Sequence, residues 1–552
     1  MFALKQHFNF SSHRLLAWFC PRQQGDFVPR SEGEVAAWLE TLPSHNTFEV
    51  LNAIISMLEA LTNAQNLPIA NRSKVLHALD DAATSHMNKM YADYLALLRG
   101  QATQEARLWL TLNNFWRQIE NSYVQLVAEL PTNDSALDEE RVALQVRAIA
   151  ALNQQAKLAR MRYCAVDARI WSEIGRLFTL IEASVCDSSA LMNVCAHIFM
   201  REMASPQNLL PREIEIVDVL AQRYAALFNC QRQTSAETGY HFDLAMDQAP
   251  SRRPPARPLG ASSRFFGAGK SYRQAEVDAE NIERQGNLGA YPDLARFTPN
   301  EVVRLLRHVA QLWSPTPPIR EQDRREVLSR MLIVFDLNEI CRNVAMGDKP
   351  TLLKDAGMRE DREQSDLKQY GFVTERTRQQ LAELPAVLGP SVDELTESWV
   401  VRDESSGGIG ADVPSRAADW LCVGRLIGFK REGGGHWGVG VIRRLELDTS
   451  SYVRVGIQVL GEQPHLVRLR PLSASQLAMW DRTEEVPSYQ YFNGILLSMP
   501  RRHEVGAILL PNGSYQQEQN FEWVHDAISE LVVVTNVAIH TETFDLLMFR
   551  LA

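Results

Sequence analysis

The sequence predicts a multidomain α+β protein: a helical N-terminal half, then an antiparallel β region, then a second small β-rich unit that closes the chain. Three observations predict it. From about Glu32 to Asn229 apolar residues recur at three and four positions; Ala249–Gly269 changes composition abruptly; and from Val327 onward the apolar runs become short or alternating. The 552 residues leave room for about three or four domains.

Composition narrows the class further. With 45% hydrophobic and 22% charged residues and a formal net charge of −10, the chain reads as globular, and a generic polyanion binder is not expected, although the balance leaves room for local basic patches. The seven cysteines, Cys20, Cys164, Cys186, Cys195, Cys230, Cys341 and Cys422, are scattered and form no CxxC pair. That pattern excludes a zinc ribbon and fits reduced thiols, so the expected location is cytoplasmic. Arg14 and the histidines interrupt the N-terminal apolar run, and no later stretch approaches about 18 uncharged apolar residues. No membrane insertion is expected.

Taken in order, residues 1–240 form the helical bundle, with roughly six to eight helices. Leu51, Ile54, Ile55, Leu58 and Leu61 fall on one helix face. Asn46 caps the run that begins at Thr47, Ser73 opens the next helix, and Gly100 ends it. Residues 241–296 follow as a basic, Pro- and Gly-containing linker: Ala249–Gly269 holds four prolines and four arginines. From Arg252 to Arg273 six residues are basic and none is acidic, so the linker is either solvated or in reach of a phosphate or acidic surface.

Residues 297–475 open with a short helix near Thr298–Trp313 and continue in strands at Val327–Phe335, Trp399–Arg402, Trp420–Lys430, His436–Leu447, Tyr452–Leu460 and Leu466–Leu472. Gly433-Gly434-Gly435 makes a natural hairpin turn between two of them. These closely spaced strands argue for a small antiparallel barrel or sandwich. A polar insertion, Cys341–Ser398, with a helix near Glu375–Glu383, separates the first two strands. Residues 476–552 carry four further alternating runs and no catalytic signature.

Several chemistries are weak on inspection. Gly269-Lys270-Ser271 resembles the tail of a P-loop, but Arg264 stands where the first glycine is required, and a proline-rich linker stands where the preceding buried strand should be. The thirteen histidines show no HExxH or comparable ligand spacing, and no serine sits in a GxSxG elbow. His436, beside Trp437, reads as a structural turn residue. A catalytic set and a metal site are therefore not expected, and the chain reads as a binder rather than an enzyme.

One pair of short motifs does carry chemistry. Arg320 and Arg324 form an RxxxR directly before the first β run, with Arg325 adjacent; Asp403, Ser405 and Gly408 form a DxSxxG directly after the second. Two arginines four apart converge on one anion, since guanidinium groups grip phosphate bidentately. An acidic, hydroxyl and glycine turn supplies acceptors, donors and close backbone approach for a base.

In this order the motifs resemble the PilZ domain, a small β-barrel receptor for the bacterial second messenger cyclic di-GMP. The resemblance extends through Leu421–Gly428, Trp437–Arg444 and Val453–Val459, and covers about Pro318–Leu472 without the insertion. It implies that Arg320 and Arg324 grip phosphates and a guanine, with Arg325 in support, while Asp403, Ser405 and Gly408 shape the base site. It departs from the family in spacing: 78 residues, 325–402, separate the two motifs, so the insertion must bulge from the barrel. The resemblance thus implies a cyclic di-GMP receptor with no other cofactor, coupled through its helical half to a protein partner. No nucleic-acid partner is expected. The alternative is a barrel of the same kind that binds no nucleotide and serves as an adaptor. Arg443, outside both motifs, is expected to matter less to binding than Arg324.

Overall fold

The computed structural model describes residues 27–64, 66–97, 102–131, 137–183, 189–252, 260–318, 324–348, 396–414, 420–447, 452–472, 492–498, 504–516, 519–525, 528–541 and 543–551. They form eleven α-helices and sixteen strands in two compact units. The first unit draws on Met1–Leu97, Thr103–Gln154 and Ser184–Leu191.

In that first unit lie α1 (Glu32–Glu40), α2 (Thr47–Asn63), α3 (Ile69–Ala96), most of α4 (Ala102–Glu129) and the first part of α5 (Asp138–Met161). The Asn46 side chain accepts from the Glu49 N–H at 3.3 Å, so α2 starts where its cap predicts. Its stripe of Leu51, Ile54, Ile55, Leu58 and Leu61 is buried. Ser73, by contrast, opens nothing. α3 starts four residues earlier, after Pro68, which has the fixed φ suited to a helix entrance, and Ser73 is buried mid-helix against Glu140. The end expected at Gly100 lies outside the described residues.

The second unit contains the rest of α5, then α6 (Ala168–Ala183), most of α7 (Ser189–Met203) and α8 (Pro211–Tyr224). Asp218 on α8 is buried among Lys157 at 3.0 Å, His197 at 2.9 Å and Arg201 at 3.1 Å. Burial by itself would raise its carboxyl pKa; Lys157, His197 and Arg201 hold it well below the usual range.

The segment expected to be a linker contains structure. Strands β1 (Asn229–Gln231), β2 (Tyr240–Asp243), β3 (Ser251–Arg252) and β4 (Ser263–Gly267) form one sheet in the order β1-β4-β2-β3. Every residue of β4 is buried, and Phe266 stacks on Phe199 at 5.0 Å and on Tyr240 at 5.9 Å. The prolines and arginines around it dominate the composition and conceal a five-residue buried strand; Arg253 and Arg257 themselves lie outside the described residues. Helix α9 (Ser271–Gln285) follows at once and ends at Gly286, whose φ of 68° suits a glycine C-cap.

A buried strand does therefore precede Gly269-Lys270-Ser271, contrary to expectation, yet the loop holds no phosphate cradle. Added Cβ atoms would meet the Glu237 carbonyl at 2.1 Å from Gly267 and the Leu227 carbonyl at 1.9 Å from Gly269. Neighbouring backbone already fills that space.

Helix α10 (Pro299–Trp313) packs on α8 and α9, so the chain from Phe297 continues the helical layer rather than opening the barrel. Thr298 and Glu301 cap it reciprocally, with Pro299 in the first turn.

Strand β5 (Arg325–Val334) then enters the first barrel, followed by α11 (Leu337–Asp348), β6 (Glu397–Ser405), β7 (Gly408–Pro414), β8 (Leu426–Arg431), β9 (Gly438–Leu447) and β10 (Tyr452–Gly461). The barrel closes as β10-β7-β6-β5-β8-β9. Although residues 335–396 intervene, β5 and β6 pair directly and antiparallel. The expected helix at Glu375–Glu383 lies outside the described residues. Strand β7 was not expected, because its glycines and terminal proline read as turn. The barrel is tied to the helical layer where the Leu447 N–H donates to the Tyr163 carbonyl at 2.7 Å.

A second barrel is built from β11 (His465–Leu472), β12 (Phe492–Ser498), β13 (Gly506–Pro511), β14 (Asn520–His525), β15 (Ile528–His540) and β16 (Phe544–Leu551), closed as β11-β12-β13-β16-β15-β14. Leu466–Leu472 was expected to belong to the first barrel. Both edges of β10 are occupied, by β7 and β9, so β11 pairs with β12 and β14 instead. The boundary between the β units falls before β11 rather than after residue 475.

Candidate functional site

The inner side of the first barrel is apolar, with Ile409, Ala411, Val413, Val455 and Ile457 in one core cluster. Alternation turns Gly410, Asp412, Arg454 and Gly456 to the outer face. That face forms one wall of a groove of about 1670 Å³ within the second unit. The opposite wall comes from the helical layer: Ser205, Gln207 and Asn208 at the 3₁₀ turn Pro206–Asn208, Leu312 near the end of α10, Pro318, and Arg252 of β3. The Arg252 guanidinium donates to the Pro318 carbonyl at 3.0 Å.

Two β-bulges load this groove with charge. Gly456 pairs with Arg444 and Ile457 with Ile442, so Arg443 is an extra residue on β9. Likewise Val401 pairs with Ala411 and Asp403 with Gly410, leaving Arg402 as the extra residue on β6. Strict alternation would send each charged neighbour pair to opposite faces. The bulges bring Arg443 with Arg444, and Arg402 with Asp403, to the same groove.

Six arginines line it (Arg252, Arg324, Arg402, Arg443, Arg444, Arg454) against three carboxylates (Glu326, Asp403, Asp412). Asp412 receives Arg402 at 2.6 Å and lies 3.8 Å from Arg454, and Arg444 pairs with Glu446 at 2.8 Å. Arg443 differs: it donates to Gln458 at 2.8 Å, and no carboxylate among the described residues lies within ion-pair distance of it. Its side chain reaches solvent, yet the groove walls crowd its guanidinium. That crowding, with Arg304 nearby, lowers its pKa against the opposing pull of Glu213. An anion in the groove relieves this directly.

Of the residues expected from sequence, Arg324, Asp403, Ser405 and Gly408 all line the groove. Arg324 and Asp403 meet as an ion pair, so the two motifs touch across the β5–β6 edge. Ser405 donates to the Gly408 carbonyl at 3.4 Å and closes the β6–β7 hairpin. Arg325 pairs in register with Glu404 and is not part of the groove lining, because the strand carries its side chain away from Arg324. Arg320 lies outside the described residues. Arg402, Arg444 and Arg454 also line the groove although neither motif includes them, and so does Arg443, which lies outside both. The Arg443-Arg444 doublet within an apolar strand was the available signal, since paired charges violate alternation. Among the described residues no group of three or more His, Cys, Asp or Glu could hold a metal ion. No helix among them is long and apolar enough to cross a membrane.

Residues 33–235 match the family model described as "Cyclic-di-GMP receptor FimW, N-terminal domain". That segment runs from α1 into the loop after β1; of the groove it includes only the wall around Ser205–Asn208. No curated protein and no solved structure matches the chain.

Proposed function

We propose that the groove binds cyclic di-GMP, that the first barrel is a PilZ-type receptor barrel, and that the protein is a bacterial cytoplasmic second-messenger receptor rather than an enzyme. The observation that carries this reading is the set of six guanidinium groups against three carboxylates in one concave site. A compact dianion with two phosphates at fixed spacing gains from such an array without much ordering of its own. The match of residues 33–235 to the N-terminal domain of a cyclic di-GMP receptor supports the same ligand from a different part of the chain.

The groove has one wall on the barrel and the other on the helical layer. A ligand that touches both favours the arrangement in which Arg252 and the 3₁₀ turn stand closest to Arg443 and Arg444, in proportion to its difference in affinity for the two arrangements. The helical half then presents the changed arrangement to a protein partner.

Calorimetric titration of the full chain with cyclic di-GMP and with linear GMP tests this. The cyclic ligand is expected to bind in preference, and at 100 times its Kd to stabilise the fold by about 2.7 kcal/mol. Absence of both heat and thermal shift at millimolar ligand sinks the receptor reading and leaves a non-binding adaptor.

A further inference from the structure

We infer that Glu446 carries ligand binding from the barrel to the helical layer: it pairs with Arg444 of the groove, and when a phosphate takes Arg444 it turns to Arg160 at the end of α5. This rests on the cyclic di-GMP reading and assigns the residues through which that site is coupled to the helices.

On β9, Arg444 and Glu446 flank the inward, buried Leu445 and so share the outer face, but only Arg444 lines the groove. Their pair is a single hydrogen bond from Arg444 Nη2 at 2.8 Å, with side chains 40% and 30% exposed. The Arg444 Nε is buried and meets no acceptor among the described residues. A singly bonded, half-wet pair is weak, whereas a phosphate offers a guanidinium two oxygens at once. Exchange therefore favours the ligand and leaves the Glu446 carboxylate to find another cation.

Two cations compete for it. Arg454 is its register partner on β10, but is 64% exposed, already leans on Asp412 at 3.8 Å and lines the groove itself. Arg160 is the stronger partner, because its side chain is only 12% exposed and an ion pair there is less screened. Arg160 Nε and Nη2 both donate to one Glu202 oxygen, at 3.1 and 2.8 Å, and its Nη1 has no acceptor among the described residues. Backbone joins the two elements at this point: the Leu447 N–H donates to the Tyr163 carbonyl at 2.7 Å, Cys164 and Leu447 form a parallel bridge, and the Tyr163 N–H donates to the Arg160 carbonyl at 2.9 Å. Tyr163 stands at φ 58°, which a tyrosine keeps only where its surroundings fix it, so the joint is firm. The charge of Glu446 is felt across it: burial works to lower the Arg160 pKa, while Glu202 and then Glu446 raise it.

Once released, Glu446 competes with Glu202 for one guanidinium. Glu202 lies in the last turn of α7, and its second oxygen is buried without a hydrogen bond among the described residues, 3.7 Å from Arg201. The Glu202 carbonyl accepts from the Ser205 N–H at 3.1 Å, at the entry to the 3₁₀ turn of the opposite wall. An anion on one wall thus reaches the root of the other through α5.

The test titrates the full chain with cyclic di-GMP, comparing the parent with Glu446→Gln, Arg160→Lys and the double variant, and follows backbone hydrogen exchange over residues 160–164, none of which lines the groove. Arg160→Lys keeps the charge but lacks the planar fork that serves two carboxylates, and should weaken cyclic di-GMP by about fivefold. Glu446→Gln frees Arg444 and should tighten binding; in that background Arg160→Lys should leave affinity unchanged. Ligand should alter exchange over residues 160–164 in the parent and not in Glu446→Gln. A carboxylate that merely stiffens Arg444 gives weaker binding in Glu446→Gln and the same Arg160→Lys effect in both backgrounds, and either result overturns the transfer. Parental affinity in a folded Arg160→Lys protein also overturns it and sends Glu446 to Arg454. If Arg160→Lys does not fold, the affinity and exchange of Glu446→Gln decide. If the parent binds no cyclic di-GMP, the receptor reading fails and the transfer with it; if the parent binds and exchange over residues 160–164 is the same with and without ligand, the transfer alone fails.

Discussion

The two barrels solve the same problem with different surfaces. Each closes six antiparallel strands, so neither leaves an open edge, and each is bulged. In the first barrel the extra residues include Arg402 and Arg443, which put pairs of charges on one face. In the second they are Leu497, Thr535 and Ala538, skipped between Leu496 and Ser498, Val534 and Asn536, and Val537 and Ile539. Leu497 is buried in the apolar cluster shared with the first barrel, while Thr535 and Ala538 are exposed and uncharged. Closure makes a barrel stable; what stands at its bulges decides whether its outside carries clustered charge.

The largest expected effect tests whether the second barrel is purely a support. Phe521 is fully buried in its core, so Phe521→Ala should lower stability by about 3–5 kcal/mol while the folded protein keeps its affinity for cyclic di-GMP. Denaturant unfolding reads the first quantity and calorimetry the second. A matching loss of affinity would mean that the groove depends on the second barrel, and the comparison would break.

A smaller effect sharpens the role of the bulge. Arg443→Ala should weaken cyclic di-GMP by about 1.5–3 kcal/mol, as expected for a lost charge-assisted hydrogen bond. Arg324→Ala should do less, because Arg324 is already paired with Asp403 and exchanges one anion for another. This reverses the order expected from the motifs, and a larger loss from Arg324→Ala would restore that order. Thr535→Ala, at a bulge of the second barrel, should change nothing measurable.

The smallest effect concerns the opposite wall. Burial works to raise the Glu301 carboxyl, but Arg212 at 2.7 Å and both polar groups of Thr298 bring it down to about 2. Its folded value lies below the ordinary 4.5, so its stabilising contribution is present above about 4.5 and is lost as pH falls toward about 2. Glu301→Gln should flatten stability across that interval, and Glu301→Ala should remove about 0.3–1.5 kcal/mol of capping. Unfolding curves at several pH values check both; an unchanged acid slope would show that the cap holds α10 without its charge.

Much was legible from local chemistry. Asn46 and Thr298 cap helices where their side chains can reach backbone N–H groups three residues on, and the apolar stripe of α2 faces a core because 3.6-residue periodicity leaves it no other choice. Most strands of both β regions followed from alternation, though β7 and β14 did not, and Asp403, Ser405 and Gly408 stood out because a hairpin motif is contiguous in sequence. Tertiary structure decided the rest, for reasons that local pattern cannot hold. Phe266 became a buried strand because Phe199 and Tyr240 wait for it across the fold. Leu466–Leu472 went to the second barrel because the first had no edge left to pair. Arg443 joined the groove because a bulge is a mismatch between two strands, and neither strand alone records it.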